Sequence, residues 1–147
     1  MELIDAIKKC NKKKIRKLID NMTIDINYND DHYIGSALLL LCANKQMVSD
    51  VNQIIKRSDI NINVINGCGE SALIISVTEQ NKNVIRYLLK TKININIQDA
   101  NGNTALMYLC QQDDYLINYA ITLINDPNVN LYLKNRQGLI QIFIMMN

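Results

Sequence analysis

The sequence predicts an all-α repeat solenoid: helix-turn-helix units stacked side by side and joined by β-turn or hairpin loops. Three observations predict it. A short phrase, Ile-Asp-Ile-Asn at 24–27, recurs as Ile-Asn-Ile-Asn at 60–63 and 93–96 and as Pro-Asn-Val-Asn at 127–130; its last residues, Asn27, Asn63, Asn96 and Asn130, stand 36, 33 and 34 apart. A second phrase keeps step with the first and ends in a hydroxyl residue before Ala-Leu, at Ser36, Ser71 and Thr104, which are 35 and 33 apart. Between the phrases, apolar residues fall at helical spacing, best seen at Val84, Ile85, Leu88 and Leu89. A fixed period of this length marks repeats that bury their faces against one another.

Each element follows from its residues. The turn phrases read Asp-Ala-Asn-Gly-Asn at 99–103 and Asn-Gly-Cys-Gly-Glu at 66–70, with Asp-His-Tyr-Ile-Gly at 31–35 and Asn-Arg-Gln-Gly-Leu at 135–139 as looser copies. Asp or Asn followed closely by Gly makes a tight turn, because Gly takes positive φ at little cost. The Ser or Thr that follows is a helix N-cap, its oxygen placed to accept a free first-turn amide. Ala-Leu then opens a short apolar helix, from Ser71 to about Thr78 and from Thr104 to about Cys110. A polar break precedes the second helix, and the Asn phrase leads to the next turn, where an Asn side chain can bond neighbouring backbone and tie one repeat to the next. The approximate units are 1–30, 31–65, 66–98, 99–134 and a partial 135–147, within a single domain spanning 1–147. The first unit opens at its first helix. The last closes on an apolar helix containing Phe143, Ile144 and Met145. Units one, two and four carry extra residues, expected in the loop before or after the second helix.

These residues resemble the ankyrin repeat family. Gly102, Thr104 and Leu106 stand where the family has its turn signature, and Asn94, Ile95 and Asn96 where it closes the unit. The family's turn Pro is Ala37, Ala72 and Ala105 here, its usual His is Leu39, Ile74 or Met107, and Ile34 occupies a consensus Gly position beside Gly35. An Ile- and Asn-rich chain with Gly-Asn-Thr-Ala-Leu-Met-Tyr is similar to ankyrin-repeat proteins of large DNA viruses, protists and intracellular bacteria. That likeness implies a host-targeting or adaptor protein. The resemblance implies a non-enzymatic interaction module that binds a protein partner on the concave surface of turn tips and first helices. Carried over by position, the contacts are His32, Tyr33 and Gly35; Cys68 and Glu70; Ala100, Asn101 and Asn103; and Arg136 and Gln137. The helix ends add Asn44, Thr78, Glu79, Gln111 and Gln112. The resemblance further implies that Asn27, Asn63, Asn96 and Asn130 are candidate substrates of asparaginyl hydroxylases.

Composition narrows the function classes. In 147 residues, 48% are hydrophobic and 20% charged, which suffices for a core and argues against disorder. A net charge of +2 argues against nucleic-acid binding through overall charge. A single His excludes a His-based metal cluster, and four Cys with no C-x-x-C pair point to a reducing compartment without a zinc site. No cofactor motif is present. His32 beside Asp30 and Asp31, with Ser36 nearby, offers no spacing for an oxyanion hole, so no catalytic residue is assigned. Cys42 and Cys110 occupy equivalent helix positions and read as small buried hydrophobes, whereas Cys68 sits at a turn tip. No signal peptide is visible, and no apolar run approaches the roughly 18 residues needed to span a bilayer. The expectation is an intracellular, cytoplasmic protein, host-cytoplasmic where the source is viral, without a membrane partner.

One local charge feature stands out. Residues 1–20 hold seven basic residues (Lys8, Lys9, Lys12, Lys13, Lys14, Arg16 and Lys17) against Glu2, Asp5 and Asp20, a local +4. It reads as a solvated end cap, as a patch for an acidic protein, or as a nucleic-acid or nuclear-import signal. The alternative to the interaction module is a self-associating structural protein, its apolar C-terminal helix forming a dimer seam in place of the expected monomer.

Overall fold

A computed structural model describes residues 1–30, 35–112 and 116–140. Its helices come in pairs: α1 (Glu2–Lys8) with α2 (Lys12–Asp20), α3 (Ala37–Ala43) with α4 (Val48–Ile54), α5 (Ala72–Thr78) with α6 (Lys82–Leu88), and α7 (Ala105–Cys110) with α8 (Ile117–Ile124). The first helices α1, α3, α5 and α7 pack in one row, each on the next, and α2, α4 and α6 in a second. Between the rows runs one apolar core that includes Leu3, Ile15, Leu38, Val51, Leu73, Ile85, Leu106 and Leu123. Each helix is too short to persist alone, so its stability is that of the buried stripe it shares with its neighbours.

The caps are local chemistry. Ser71 Oγ accepts the amide of Ile74 at 3.3 Å and Thr104 Oγ1 that of Met107 at 3.2 Å. Ser36 differs: it precedes α3 with extended backbone, but its hydroxyl makes no cap bond and is buried without a partner. Two of the second helices are capped by Asn, with Asn11 Oδ1 accepting the Lys14 amide and Asn81 Oδ1 the Val84 amide, whereas α4 and α8 follow Met47 and Leu116 without a side-chain cap. In the first and third pairs the break between helices is a tight reversal. Cys10 and Gln80 sit at φ 51° and 53°, and the following amides reach back to Ala6 and Ser76 carbonyls at 3.0 and 2.8 Å. This is a left-handed helix terminus of the kind Gly usually occupies.

The extra residues fall between paired helices, after α4 (nine positions from Ile54 to Asn63 against eight from Leu88 to Asn96) and in one tip. The connection between paired helices is three residues at 9–11 and 79–81, four at 44–47, where Lys45–Met47 form a 3₁₀ turn, and six at 111–116. The first unit's extra residue is instead in the tip, contrary to the expectation of a helix-flanking loop. There β1 (Asn29–Asp30) pairs with β2 (Gly35–Ser36), Asn29 opposite Ser36, seven positions on, whereas Ile65 bridges Ser71, six on. Gly35 at φ 82° takes the left-handed conformation directly before Ser36, one position later than Gly69 relative to Ser71.

Asn side chains stitch the other edge of the stack. Asn27 Oδ1 accepts the Asn61 amide at 2.7 Å while its Nδ2 donates to the Asp59 carbonyl at 2.6 Å. Asn63 Oδ1 accepts the Asn94 amide at 2.7 Å, and Asn96 both accepts the Asn130 amide and donates to the Asn128 carbonyl. Arg57 joins the first two pairs. It is buried, at 8% exposure, and all five of its N–H donors are used: Nη1 on the Ile19 and Asn21 carbonyls, Nη2 on the Ile24 carbonyl and Asp59, and Nε on Asp59.

Candidate functional site

The turn tips form a second ladder. In three successive tips one side-chain oxygen accepts two amides: Asn66 from Cys68 and Glu70, Asp99 from Asn101 and Asn103, and Asn135 from Gln137 and Leu139, all at 2.8–3.0 Å. Each turn closes with a Gly amide on the carbonyl of that same Asn or Asp, at 2.9 Å. The Ala100 amide then donates to the Cys68 carbonyl and the Arg136 amide to the Asn101 carbonyl, each at 2.8 Å. The ladder leaves no room beside two glycines. A Cβ on Gly69 would lie 3.0 Å from the Ala100 nitrogen, and one on Gly102 2.9 Å from the Asn135 Cα. The tips are therefore held rigidly by backbone and by buried Asp99 and Asn135, which frees the other tip side chains from structural duty.

The positions expected to contact a partner divide accordingly. Cys68, Ala100, Asn101, Arg136 and Gln137 are exposed at the tips, and Thr78, Glu79 and Gln111 at the ends of α5 and α7. Glu70, Asn103 and Gln112 are half-buried and tied into the framework. Glu70 accepts from Asn66 Nδ2 at 2.7 Å, Asn103 Oδ1 from Asn135 Nδ2 at 2.9 Å, and Gln112 Oε1 from Gln80 Nε2 at 3.0 Å. Asn44 caps the 3₁₀ turn through the Gln46 amide. Gly35 is a correction: it is buried, with a hypothetical Cβ 2.7 Å from Leu39 Cδ1 and 3.2 Å from Asn66 Cβ, so it packs between tips and presents nothing. His32 and Tyr33 lie outside the described residues, as does the apolar helix with Phe143, Ile144 and Met145.

Tyr108 was missed. Its hydroxyl donates to Asp99 Oδ2 at 2.5 Å and its half-buried ring borders an open cleft of about 290 Å³ with Gln80, Gln111 and Gln112. Burial first, and the Asp99 carboxylate second, raise the tyrosine pKa, so the phenol stays neutral through the physiological range. The signal was present in the register. Tyr108 is four residues after Thr104, as Leu40 and Ile75 are after Ser36 and Ser71, on the helix face next to the tips. An aromatic there is an anchor of the kind interfaces use.

The Asn residues raised as hydroxylation candidates are structural in this state. Asn27, Asn63 and Asn96 spend their side chains between units, and Asn130 Oδ1 accepts the Tyr132 amide at 3.1 Å. Burial pushes the Cys42 thiol up to about 12 and raises that of Cys110. Among the described residues no group of three or more His, Cys, Asp or Glu could hold a metal ion, and no helix is long and apolar enough to cross a membrane.

The family model described as ankyrin repeats (3 copies) matches residues 38–135, about two thirds of the chain. That span covers α4 to α8, nearly all of α3, and two of the three tip turns that close on Gly. Paired short helices in two rows, Gly-closed tips joined by backbone hydrogen bonds and the family match agree: the chain belongs to the ankyrin-repeat family.

Proposed function

We propose that this chain is a non-enzymatic adaptor that binds a protein partner across the tips and the cleft at Tyr108. Ankyrin repeats are generally protein–protein interaction modules and are typically non-enzymatic. One observation supports this use of the tip face. Cys68, Asn101, Arg136 and Gln137 are exposed while the backbone that carries them is locked into the ladder, and Gln111 is exposed at the end of α7. A rigid scaffold with uncommitted side chains loses little entropy on binding. The half-exposed Tyr108 ring supplies an anchor, and the glutamines around it supply donors and acceptors. A host protein as the partner rests on the likeness to viral and protist ankyrin proteins.

The test is affinity capture from native or host cells with quantitative mass spectrometry, comparing wild type with a Tyr108→Ala/Arg136→Ala double variant. A partner depleted at least about tenfold by the variant supports the reading, since anchor truncations cost 2 kcal/mol or more as a rough guide. An unchanged capture profile removes it. Self-association is the second reading, and α8 favours it. Ile117 and Ile121 are 47% and 49% exposed on a helix without a charged residue, whereas α2, α4 and α6 all bear charge. Sedimentation across a concentration series decides: a dimer lost on Ile121→Lys supports it, and a concentration-independent monomer refutes it.

A further inference from the structure

The N-terminal pair has a surface that neither the core nor the tip face uses. Lys9, Lys12, Lys13, Lys14, Arg16 and Lys17 are all exposed. Two of them are paired on the same surface, Lys14 with Glu2 at 2.9 Å and Arg16 with buried Asp50 at 3.4 Å. Lys12, Lys13 and Lys14 occupy the first turn of α2, where the helix dipole presents its positive end and acidic residues are favoured; that turn holds none. Placing cations there costs roughly 0.3–1 kcal/mol each, offset in part at Lys14 by its ion pair with Glu2. Lys12 and Lys13 break this local rule with no ion pair among the described residues to offset it, and a local rule broken without compensation is expected at a functional surface.

The surface also has shape. A cleft of about 470 Å³ is lined by Glu2, Asn11, Lys13, Lys14, Lys17 and Leu18. Three lysines and Leu18 line it beside Asn11 and Glu2, and Lys14 neutralises the Glu2 carboxylate, so the net charge around this partly aliphatic depression is positive. A membrane would need an insertable apolar face, but Ile15, Leu18 and Ile19 of α2 are committed to the core. A nucleic acid would reward Arg forks or aromatic stacking, and the charges here are mostly lysines with no ring among them. A polyanion with an apolar side chain uses both the charge and the cleft.

We infer that the exposed basic face of α1 and α2 binds an acidic peptide segment carrying an aliphatic residue. The aliphatic side chain enters the Lys13–Lys14–Lys17–Leu18 cleft, and flanking carboxylates pair with Lys9, Lys12, Lys13 and Lys17. This surface shares no residue with the Tyr108 cleft, so the two sites stand or fall separately.

The test is fluorescence anisotropy with a short labelled peptide of Glu and Asp bearing one central Leu, added to the full chain. Polyuridine and phosphatidylserine vesicles serve as rival probes. The peptide is expected to bind, with affinity falling about tenfold from about 0.05 M to about 0.3 M salt. Changing its Leu to Ser should weaken binding roughly tenfold, because most of an aliphatic side chain leaves water. Lys13→Gln/Lys17→Gln should abolish it, while Lys56→Gln/Lys90→Gln, which removes the same charge elsewhere, and Tyr108→Ala should not. Circular dichroism of each variant confirms the fold. No binding at low salt, equal binding of the Ser peptide, equal loss in the Lys56/Lys90 control, or tighter binding of polyuridine or vesicles would each overturn the inference.

Discussion

Gly102 and Gly138 permit a clean separation of two costs. They adopt nearly the same backbone, φ 78° and 76°, so replacement by Ala carries the same left-handed penalty of roughly 1–2 kcal/mol at each. Their surroundings differ. A Cβ at Gly138 meets nothing within 4 Å, whereas at Gly102 it lies 2.9 Å from Asn135 Cα and 3.0 Å from the Arg136 nitrogen. Relief requires the two tips to part by several tenths of an ångström, which stretches the Arg136-to-Asn101 hydrogen bond of 2.8 Å. Overpacking of this kind costs a further 1–3 kcal/mol or so. Gly102→Ala is therefore expected to cost about 2–5 kcal/mol and Gly138→Ala about 1–2, with Gly69→Ala near the former. Urea titration gives the global difference. Native-state exchange of the Arg136 amide gives the local one, which should open roughly 5- to 150-fold more often in Gly102→Ala than in Gly138→Ala. Equal losses in the two variants would refute the claim that tip-to-tip contact, and not conformation alone, demands glycine.

Four further expectations concern the framework. Arg57→Ala leaves the carbonyls of Ile19, Asn21 and Ile24 without their donor and should cost about 2–4 kcal/mol by denaturant melt, whereas a surface Lys56→Ala should be near neutral. The hydrogen bond from Arg57 holds the Asp59 carboxyl below the ordinary carboxylate range. Its contribution is thus complete above the unfolded value and lost as pH falls through the folded one, so wild type should lose stability below about pH 4 in a melt series, with a shallower acid slope in Arg57→Ala. Cys10→Gly and Gln80→Gly should each raise stability by about 0.5–1 kcal/mol, since Gly takes the left-handed terminus freely; destabilisation of both would refute the strain reading. Alkylation followed by mass spectrometry should modify the exposed Cys10 and Cys68 first and Cys110 slowly. Cys42, whose thiol is pushed up to about 12, should react only on unfolding.

The fold was legible because its instructions are local and repeated. Ser71 and Thr104 cap helices where a hydroxyl precedes Ala-Leu, and the Asn phrase stitches units where it recurs. Ser36 looked like the same cap and is not: its backbone matches that of Ser71 and Thr104, but its hydroxyl accepts no first-turn amide, and its left-handed glycine stands directly before it. Arg57 was not legible. A lone Arg after a helix has no periodic signature, and its role depends on carbonyls of the preceding pair some 33–38 positions away.

The contact surface was less legible for a physical reason. Polar residues at a tip have two possible partners, the adjacent tip or a foreign protein, and sequence does not say which. Asn103, and Gln112 at the end of α7, went to the neighbouring units, bonding Asn135 and Gln80, while Glu70 is held within its own tip by Asn66. Cys68, Asn101, Arg136 and Gln137 did not, although their backbone holds the ladder. Position within the turn explains the difference. The residue just before the helix, Glu70 or Asn103, faces the sheltered side where Asn66 or Asp99 organises the turn, while the residues preceding the left-handed Gly point outward from the bend. A search for contacts in any stack of this type should therefore weight the positions between the turn Asn or Asp and the Gly. To these it should add the fourth residue after the cap where it is aromatic, as at Tyr108, because its ring packs against the core while its hydroxyl reaches the tip at Asp99.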